Sequence, residues 1–253
     1  MVAFFRLRWA YVTPVESGVV QLDQVAFRYR RRAPWVLRDV TLTVPRGRLI
    51  EVSGANGAGK STLLRLLAGV VPPVRGRVSG RPPRVGYAPE LFPAAQPFTA
   101  SAYLGHMARI RGVDDSAVAK WAARLGFSGL LGTRLPDLSK GSAHKAGLIQ
   151  ALLAEPELLV LDEPFAGLDA ETRAALPSLL SGLTADGTSV VVSDHQGDLR
   201  KLPDVVRWRV SGHTVTVGDL PDEHTIVEVT VRSDEADALV ERLTADGYHA
   251  RRR

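Results

Sequence analysis

The feature that most constrains this chain is a glycine-rich stretch, GANGAGKST, at positions 54–62. It follows a short apolar segment, LIEVS, and leads into KSTLLRLLAGV, in which Leu63, Leu64, Leu67 and Ala68 recur at helical spacing. The order is therefore strand, loop, helix. Glycines allow the backbone to turn its N–H groups inward, and the positive end of the following helix points at the same place. The stretch predicts a binding site for the phosphate groups of a nucleotide.

The residues of this loop have separate predicted tasks. Backbone N–H groups would surround the α and β phosphates, Lys60 would reach the β and γ phosphates, and the Ser61 hydroxyl would bind Mg²⁺. A glycine-rich turn with a solvated lysine is the competing interpretation, but the strand before the loop and the helix after it argue against that. The predicted nucleotide contacts from this loop are Gly54, Asn56, Gly57, Gly59, Lys60, Ser61 and Thr62.

A second acidic element, LLVLDEP at 158–164, supplies carboxylates for a metal ion. An apolar strand that ends in two acids delivers them to the carboxyl edge of a sheet, where α/β proteins bind ligands. Consecutive strand residues point in opposite directions, which predicts separate roles for the two acids. Asp162 would hold Mg²⁺ through water, and Glu163 would face the γ phosphate and polarise an attacking water.

Hydrophobic periodicity assigns the chain to the α/β class. Residues 19–44 alternate as two strands, and a short strand, RVGYA, lies within a Pro- and Gly-rich stretch at 72–98. Two helical patterns follow at 99–111 and 115–125. DLSKGS, at 137–142, then opens a third helical pattern. The apolar segments LLVL and SVVVS read as strands of a parallel sheet that is buried on both faces.

Composition limits the remaining possibilities. The chain of 253 residues has no cysteine, which excludes disulfides, cysteine zinc sites and thiol catalysis, and its six histidines show no metal-ligand spacing. The net charge of +5 allows nucleic acid as a partner, but a surface beside a membrane or a nucleotide explains it as well. No apolar run reaches the length of about 18 residues that a membrane-spanning helix needs, and no secretory signal is recognised at the start. We expect a membrane role only through a partner.

Several ordered motifs together resemble the ATP-binding cassette (ABC) ATPases, the nucleotide-binding subunits of ABC transporters. GANGAGKST looks like the Walker A motif of that family, LSKGS like its signature loop, and LLVLDEP like its Walker B motif. AGLD, which ends at Asp169, looks like the D-loop, and SDH, which ends at His195, looks like the switch histidine motif. The resemblance covers about residues 19–218. It implies ATP and Mg²⁺ as ligands and ATP hydrolysis as the reaction.

The resemblance also implies the fold and its domains. The expected fold is α/β, with a mostly parallel core sheet, an antiparallel β subdomain and a small helical subdomain at about 92–140. The ABC domain would span 19–221, between an N-terminal extension (1–18) and a short C-terminal βα appendage (222–253).

Further site residues follow from the family pattern. In that family two nucleotide-binding domains meet head to tail, so that the signature loop of one covers the γ phosphate held by the other. Ser139 and Gly141 would make that contact, and Asp169 would touch the opposite subunit. Tyr29 would stack on adenine. His195 would hydrogen-bond the γ phosphate and orient the water beside Glu163.

Two departures from the family pattern stand out. Lys140 and Ser142 replace the third and fifth residues of the usual signature, Leu-Ser-Gly-Gly-Gln, while the serine and the second glycine are kept. Glu90 stands where the family has a glutamine, and it could accept a metal-bound water. Glu90 and the C-terminal appendage resemble the drug- and polyketide-exporter branch, which favours export.

The leading hypothesis is an ATPase subunit at the cytoplasmic face of a membrane, paired with a second cassette of the same or a related kind. Separate membrane-spanning subunits would dock on it at an exposed apolar groove near Leu91, Phe92 and Phe98. The alternatives are a soluble ABC ATPase that acts on nucleic acid or the ribosome, a GTPase or kinase that shares only the phosphate loop, and a catalytically silent cassette. The complete series of motifs argues against the last two, and one short cassette without zinc motifs argues against the first.

Overall fold

The computed structural model describes residues 19–195, 197–200 and 202–218. The chain divides into two compact units, Met1–Asp219 and Leu220–Arg253. The predicted N-terminal extension (1–18) and the predicted βα appendage (222–253) lie outside the described residues. Within the described ranges, no helix combines the length and the apolar character needed to cross a membrane.

The first unit is built on two sheets. Six strands form a sheet in the order β5-β6-β7-β3-β8-β9, parallel except for the last pair, and three strands form an antiparallel sheet in the order β2-β1-β4. The described strands are β1 (Val20–Phe27), β2 (Leu37–Val44), β3 (Leu49–Ser53), β4 (Arg75–Ser79), β5 (Val85–Ala88), β6 (Leu158–Asp162), β7 (Ser189–Ser193), β8 (Val206–Ser211) and β9 (Thr214–Val217). The described helices are α1 (Lys60–Ala68), α2 (Ala100–Ile110), α3 (Ser116–Arg124), α4 (Lys140–Leu152) and α5 (Ala170–Ala185).

Helix α1 lies in the core that the two sheets share. Its four leucines are fully buried in one cluster with residues of β1 and β2 on one side and of β3, β6 and β7 on the other. The sequence predicted a single apolar face, but Leu66 is buried as well, because the helix has a sheet on each side. This packing fixes the start of α1, and with it the glycine-rich loop, at the carboxyl ends of β3 and β6.

The region between β5 and β6 is helical. Helices α2 and α3 and two short 3₁₀ turns bury Leu104, Trp121 and Phe127 in a second core cluster, which also contains Leu148 and Leu152 of α4. Helix α4 contacts β5 and β6 and also α2 and α3. The helix that starts at the signature loop therefore connects the helical region with the parallel sheet.

The predicted fold is confirmed for its core sheet, its antiparallel sheet and its helical region. Three strands were not predicted. Strand β4 is short and largely exposed, and it contains Arg75 and Arg77, so its sequence shows no alternation of apolar residues. Its backbone pairing with β1 is what makes it a strand. Strands β8 and β9 form a hairpin that extends the parallel sheet beyond β3.

Candidate nucleotide site

The glycine-rich loop has the geometry of a phosphate cradle. Gly59 caps the start of α1 with φ of 113°, and a Cβ there would lie 3.2 Å from Cγ1 of Val36, so glycine suits this position in both conformation and space. The side chain of Lys60 is largely buried, and its Nζ donates to the carbonyl oxygen of Gly54 over 2.8 Å. A buried ammonium that is held mainly by the oxygens of its own loop has further hydrogen-bonding capacity for phosphate.

The two residues predicted to hold Mg²⁺ are adjacent. The Ser61 hydroxyl donates to Oδ1 of Asp162 over 3.1 Å, and the hydroxyl of Ser193 donates to the same oxygen over 2.9 Å. Asp162 ends β6 and is 2% exposed. Hydroxyl and carboxylate oxygens are the ligands that Mg²⁺ prefers, and it takes the rest from phosphate and water. These residues therefore fit the ion, although the described residues contain no cluster of three acids or histidines that could hold a metal alone.

Glu163 and His195 are in contact. Nδ1 of His195 is within hydrogen-bonding reach of Oε2 of Glu163, and the backbone N–H of Glu163 donates to the Ser193 hydroxyl over 2.8 Å. Burial raises the pKa of the Glu163 carboxyl, while the hydrogen bond and charge of His195 and the charge of Lys60 act to lower it. The sequence attributed the separation of Asp162 and Glu163 to strand alternation, and this was wrong. Glu163 follows the end of β6 with φ of 53°, so a left-handed backbone redirects it.

Tyr29 lies beside the start of α1. Its hydroxyl is 2.9 Å from the hydroxyl of Thr62, and it accepts from the guanidinium of Arg65 over 3.0 Å. The ring packs edge-on against Phe27, and the residue is 56% exposed. A tyrosine that is held through its hydroxyl and its edge keeps ring surface for a planar ligand.

The signature loop caps its own helix. Ser139 precedes α4, and its hydroxyl accepts the backbone N–H of Ser142 over 3.1 Å and lies 2.9 Å from the Ser142 hydroxyl. Gly141 packs so closely that a Cβ there would lie 2.1 Å from the carbonyl oxygen of Gly167. The signature loop and the D-loop are thus in backbone contact within one chain. None of the described hydrogen bonds joins Ser139 to the phosphate loop.

Asp169 has two local tasks. It caps α5, where its carboxylate accepts the backbone N–H of Thr172 over 2.9 Å, and it pairs with Nζ of Lys145 over 2.6 Å. The hydrogen bond from Lys145, followed by that from Thr172, holds the pKa of the Asp169 carboxyl well below its usual range. Lys145 is almost buried on α4, whereas Asp169 is half exposed. The ion pair therefore ties the helix behind the signature loop to the start of α5.

The other predicted site residues are more exposed. Asn56 and Gly57 lie at the exposed tip of the phosphate loop. Glu90 follows β5 at the same carboxyl edge as Asp162, but it is exposed and takes part in none of the described hydrogen bonds or ion pairs. Its role toward a metal-bound water stays a prediction.

Sequence reasoning missed two groups of residues. Ser193 bonds to both the Asp162 carboxylate and the backbone N–H of Glu163. In the sequence it is recognisable only as a polar residue at the end of the apolar strand SVVVS. Arg173 donates to both carboxylate oxygens of Asp198, over 2.7 and 2.9 Å. The two residues are 25 positions apart, so no local sequence pattern predicts their contact.

Comparison with known proteins agrees with the motifs. A model of the family described as ABC transporter matches residues 37–166. The manganese transport system ATP-binding protein MntB of Bacillus subtilis is 31% identical over 249 residues, which cover 90% of this chain and 98% of that protein. The zinc import ATP-binding protein ZnuC of Cereibacter sphaeroides is 39% identical over 170 residues, which cover 66% of this chain and 69% of that protein.

Solved structures show the same fold. An ATP-binding subunit of an ABC transporter superposes with a TM-score of 0.72 at 24% identity, and the match covers 92% of this chain and 96% of that chain. The dimeric bacterial ABC transporter cassette MJ0796 gives a TM-score of 0.71 at 20% identity, over 78% of this chain and 96% of that chain. With the family model and the relative matched over nearly its whole length, these findings identify the chain as a member of the ABC transporter family, an ATP-binding cassette that binds ATP with Mg²⁺ and hydrolyses it.

Proposed function

We propose that this chain is the ATP-hydrolysing subunit of a transporter and that Glu163 and His195 form its catalytic pair. The observation that carries the proposal is their contact beside the linked side chains of Ser61, Asp162 and Ser193. A carboxylate held by an imidazole next to a magnesium site is suited to orient and polarise an attacking water.

Each part of the site has a distinct task in this proposal. The loop N–H groups and Lys60 would bind the phosphates. Ser61 and Asp162 would hold Mg²⁺, which would neutralise negative charge on the phosphates. Glu163 accepts a hydrogen bond from the attacking water, and the raised pKa of its carboxyl makes it a better proton acceptor than an exposed glutamate. His195 holds that carboxylate in place, and its other ring nitrogen would hydrogen-bond the γ phosphate.

The site is completed by a second cassette, of the same or a related kind. Ser139 and Gly141 start α4, where free N–H groups and the helix dipole favour an anion that approaches from outside. The signature loop of one copy would thus face the γ phosphate held by the other copy, with Asp169 at the contact. ATP then holds two cassettes together, and its hydrolysis releases them.

The cargo we propose is a divalent transition metal, moved inward through separate membrane-spanning subunits, with this chain at the cytoplasmic face. Support comes from MntB and ZnuC, whose names specify manganese transport and zinc import. The sequence-based preference for export finds no support among these relatives. The sequence-based alternative of a soluble ABC ATPase acting on nucleic acid or the ribosome is not favoured by them either.

The contact with the membrane subunits is proposed at Leu91 and Phe98. These side chains are 71% and 48% exposed, whereas Phe92 packs edge-on against Tyr103 and against Gly147. The double change Leu91→Ser and Phe98→Ser should abolish co-purification with the membrane subunits and leave basal ATP hydrolysis intact. Val217→Ser, at an apolar residue on β9 that is 60% exposed, is the matched control. Retained association of the double variant would remove this surface from the proposal.

The first test of the composite site is the solution mass of the Glu163→Gln variant by light scattering, with and without Mg·ATP. This change should slow hydrolysis and spare binding, so that a closed pair accumulates and the mass doubles with ATP. The same variant carrying Lys60→Ala should stay monomeric. A monomer under both conditions, with ATP binding confirmed, would show that the partner is a different cassette or that closure needs the membrane subunits, and the pairing of identical copies would be abandoned.

The cargo is tested in cells that depend on the transporter for metal. Glu163→Gln should lower the uptake of radioactive manganese or zinc to the level of a strain without the chain, while Lys120→Ala should not. If the metal content of the variant strain rose instead of falling, the result would indicate export and would overturn the proposed direction.

A further inference from the structure

The first turn of α5, residues 169–173, carries two ion pairs that point to different parts of the site. At its start, Asp169 pairs with Lys145, on the helix behind the signature loop. One turn later, Arg173 pairs with Asp198, three residues beyond His195. The proposed function uses neither Arg173 nor Asp198. This short helical turn therefore touches both the signature side and the histidine side of the cassette.

The Arg173–Asp198 pair has the geometry of a positioning contact. Both guanidinium–carboxylate bonds are short, at 2.7 and 2.9 Å, and the two-pronged arrangement fixes direction as well as distance. The carboxylate is only 15% exposed, so it is less screened by water than the carboxylate of a typical surface ion pair.

The segment that carries Asp198 is itself fixed to the residue before His195. The carboxylate of Asp194 accepts the backbone N–H groups of Gly197 over 3.0 Å and Leu199 over 3.1 Å. Asp194 is buried, and Leu199 is buried in the core cluster that also contains Leu176 of α5. The backbone that follows His195 is thus held on both sides, by Asp194 from within and by Arg173 from α5.

We propose that Arg173 and Asp198 are positioning residues that hold His195 against Glu163 and couple it to the first turn of α5. The inference rests on the proposed roles of Glu163 and His195. The connection continues through Asp169 and Lys145 to α4. A partner cassette that contacts the signature loop and the D-loop would therefore shift the first turn of α5. That turn is bonded through Arg173 to Asp198, three residues after His195. Neither residue touches the phosphate loop in the described contacts.

The inference predicts a specific kinetic pattern. In the full chain, Arg173→Ala should lower kcat for ATP about tenfold, since loss of alignment at a reacting centre commonly costs that much or more. The KM for ATP should stay within about twofold, because the groups that bind the phosphates are untouched. Lys120→Ala, which removes the 2.8 Å exposed pair with Glu155, is the matched control and should change neither constant.

The decisive measurement repeats the change in a His195→Ala background, with single-turnover hydrolysis of radiolabelled ATP to follow slow rates. If Arg173 acts through His195, its removal should cost less than about twofold there. The exchanged pair Arg173→Asp with Asp198→Arg should recover most of the rate that either single change loses. Asp198→Asn keeps the shape of the side chain and serves as the second probe if Arg173→Ala melts at a lower temperature.

The outcomes separate the inference from the proposed function. If His195→Ala leaves kcat unchanged, the catalytic pair itself is wrong, and the positioning role falls with it. If His195→Ala slows hydrolysis, but Arg173→Ala costs the same factor in both backgrounds, only the positioning role is overturned. Equal melting temperatures together with a loss of kcat confined to the background that contains His195 would establish it.

Discussion

The phosphate half and the signature half of the candidate site are built in opposite ways. In the phosphate half, Lys60 and Asp162 are buried, and their polar atoms are bonded to groups from the phosphate loop, α1 and β7. In the signature half, Ser139 is exposed, and among the described residues its hydroxyl bonds only to Ser142, three residues further along the chain. The first half is anchored in the core of the fold, whereas the second is a helix cap at the surface.

The difference shows which half can work alone. A site whose charged groups are already placed by buried contacts needs little reorganisation when a ligand arrives, so the phosphate half should bind ATP in an isolated chain. A self-capped helix start has free N–H groups, but no other residues enclose a ligand there. It therefore binds a ligand only when another molecule brings one. The phosphate half should therefore govern affinity, and the signature half should govern association.

The largest expected effect comes from Lys60→Ala. Removing a charged donor from the phosphates should weaken the binding of Mg·ATP to the isolated chain by between about tenfold and 100-fold, as measured by calorimetry. Lys140→Ala provides the matched control, since it removes a lysine from the exposed signature half. It should leave the affinity of the isolated chain within about twofold. Equal losses in the two variants would break the division between the halves.

Sequence alone could predict the phosphate half, because a contiguous run from Gly54 to Thr62 carries the loop and the strand LLVL carries its acid. It also predicted the helix that begins at Ser139, where the structure has α4. What it could not predict are contacts between distant segments. Ser193 holds Asp162 across neighbouring strands, and Arg173 on α5 reaches Asp198 in the segment after β7. The direction of Glu163 depends on a left-handed backbone that residue type does not announce.

The second prediction concerns Gly141→Ala. Its Cβ would lie 2.1 Å from the backbone carbonyl of Gly167, so the signature loop and the D-loop must move apart. We expect a loss of about 1–3 kcal/mol in the free energy of unfolding by urea titration, as for overpacking of a tight contact. Gly182→Ala is the control, because open space surrounds that residue in α5, and alanine there should stabilise by about 0.5–1 kcal/mol.

The same variant sharpens the comparison between the halves. With Gly141→Ala, the isolated chain should still bind Mg·ATP normally, while the Glu163→Gln background should no longer form a pair. If ATP affinity fell along with association, the signature half would take part in binding within one chain, and the two halves would not be separable.

The third prediction is a pH dependence at the ion pair between Asp169 and Lys145. Because the folded-state pKa of Asp169 is lowered, its contribution to stability is present above the unfolded value of about 3.8 and is lost as the pH falls below it. Asp169→Asn should therefore flatten the decline in melting temperature between about pH 4 and pH 2. Glu171→Gln, an exposed acid in the same helical turn, is the control and should keep the wild-type slope. An unchanged slope for Asp169→Asn would show that the pair does not contribute.

The smallest effect is expected from Ser142→Ala. This change tests whether the contact between the Ser142 and Ser139 hydroxyls limits what Ser139 can bind. Alanine keeps the backbone N–H that bonds to the Ser139 hydroxyl and removes only the contact between the two hydroxyls, so we expect a stability change of a few tenths of a kcal/mol. Ser139→Ala removes the cap itself and should cost about 1 kcal/mol. In Ser142→Ala the Ser139 hydroxyl oxygen still accepts the backbone N–H, and its own proton becomes available to donate to a phosphate brought by a partner. In the Glu163→Gln background, pairing in Mg·ATP should therefore be at least as tight as with serine, as measured by sedimentation. Weaker pairing would mean that Ser142 itself contacts the second molecule, and the signature half would then be a built binding surface instead of a helix cap.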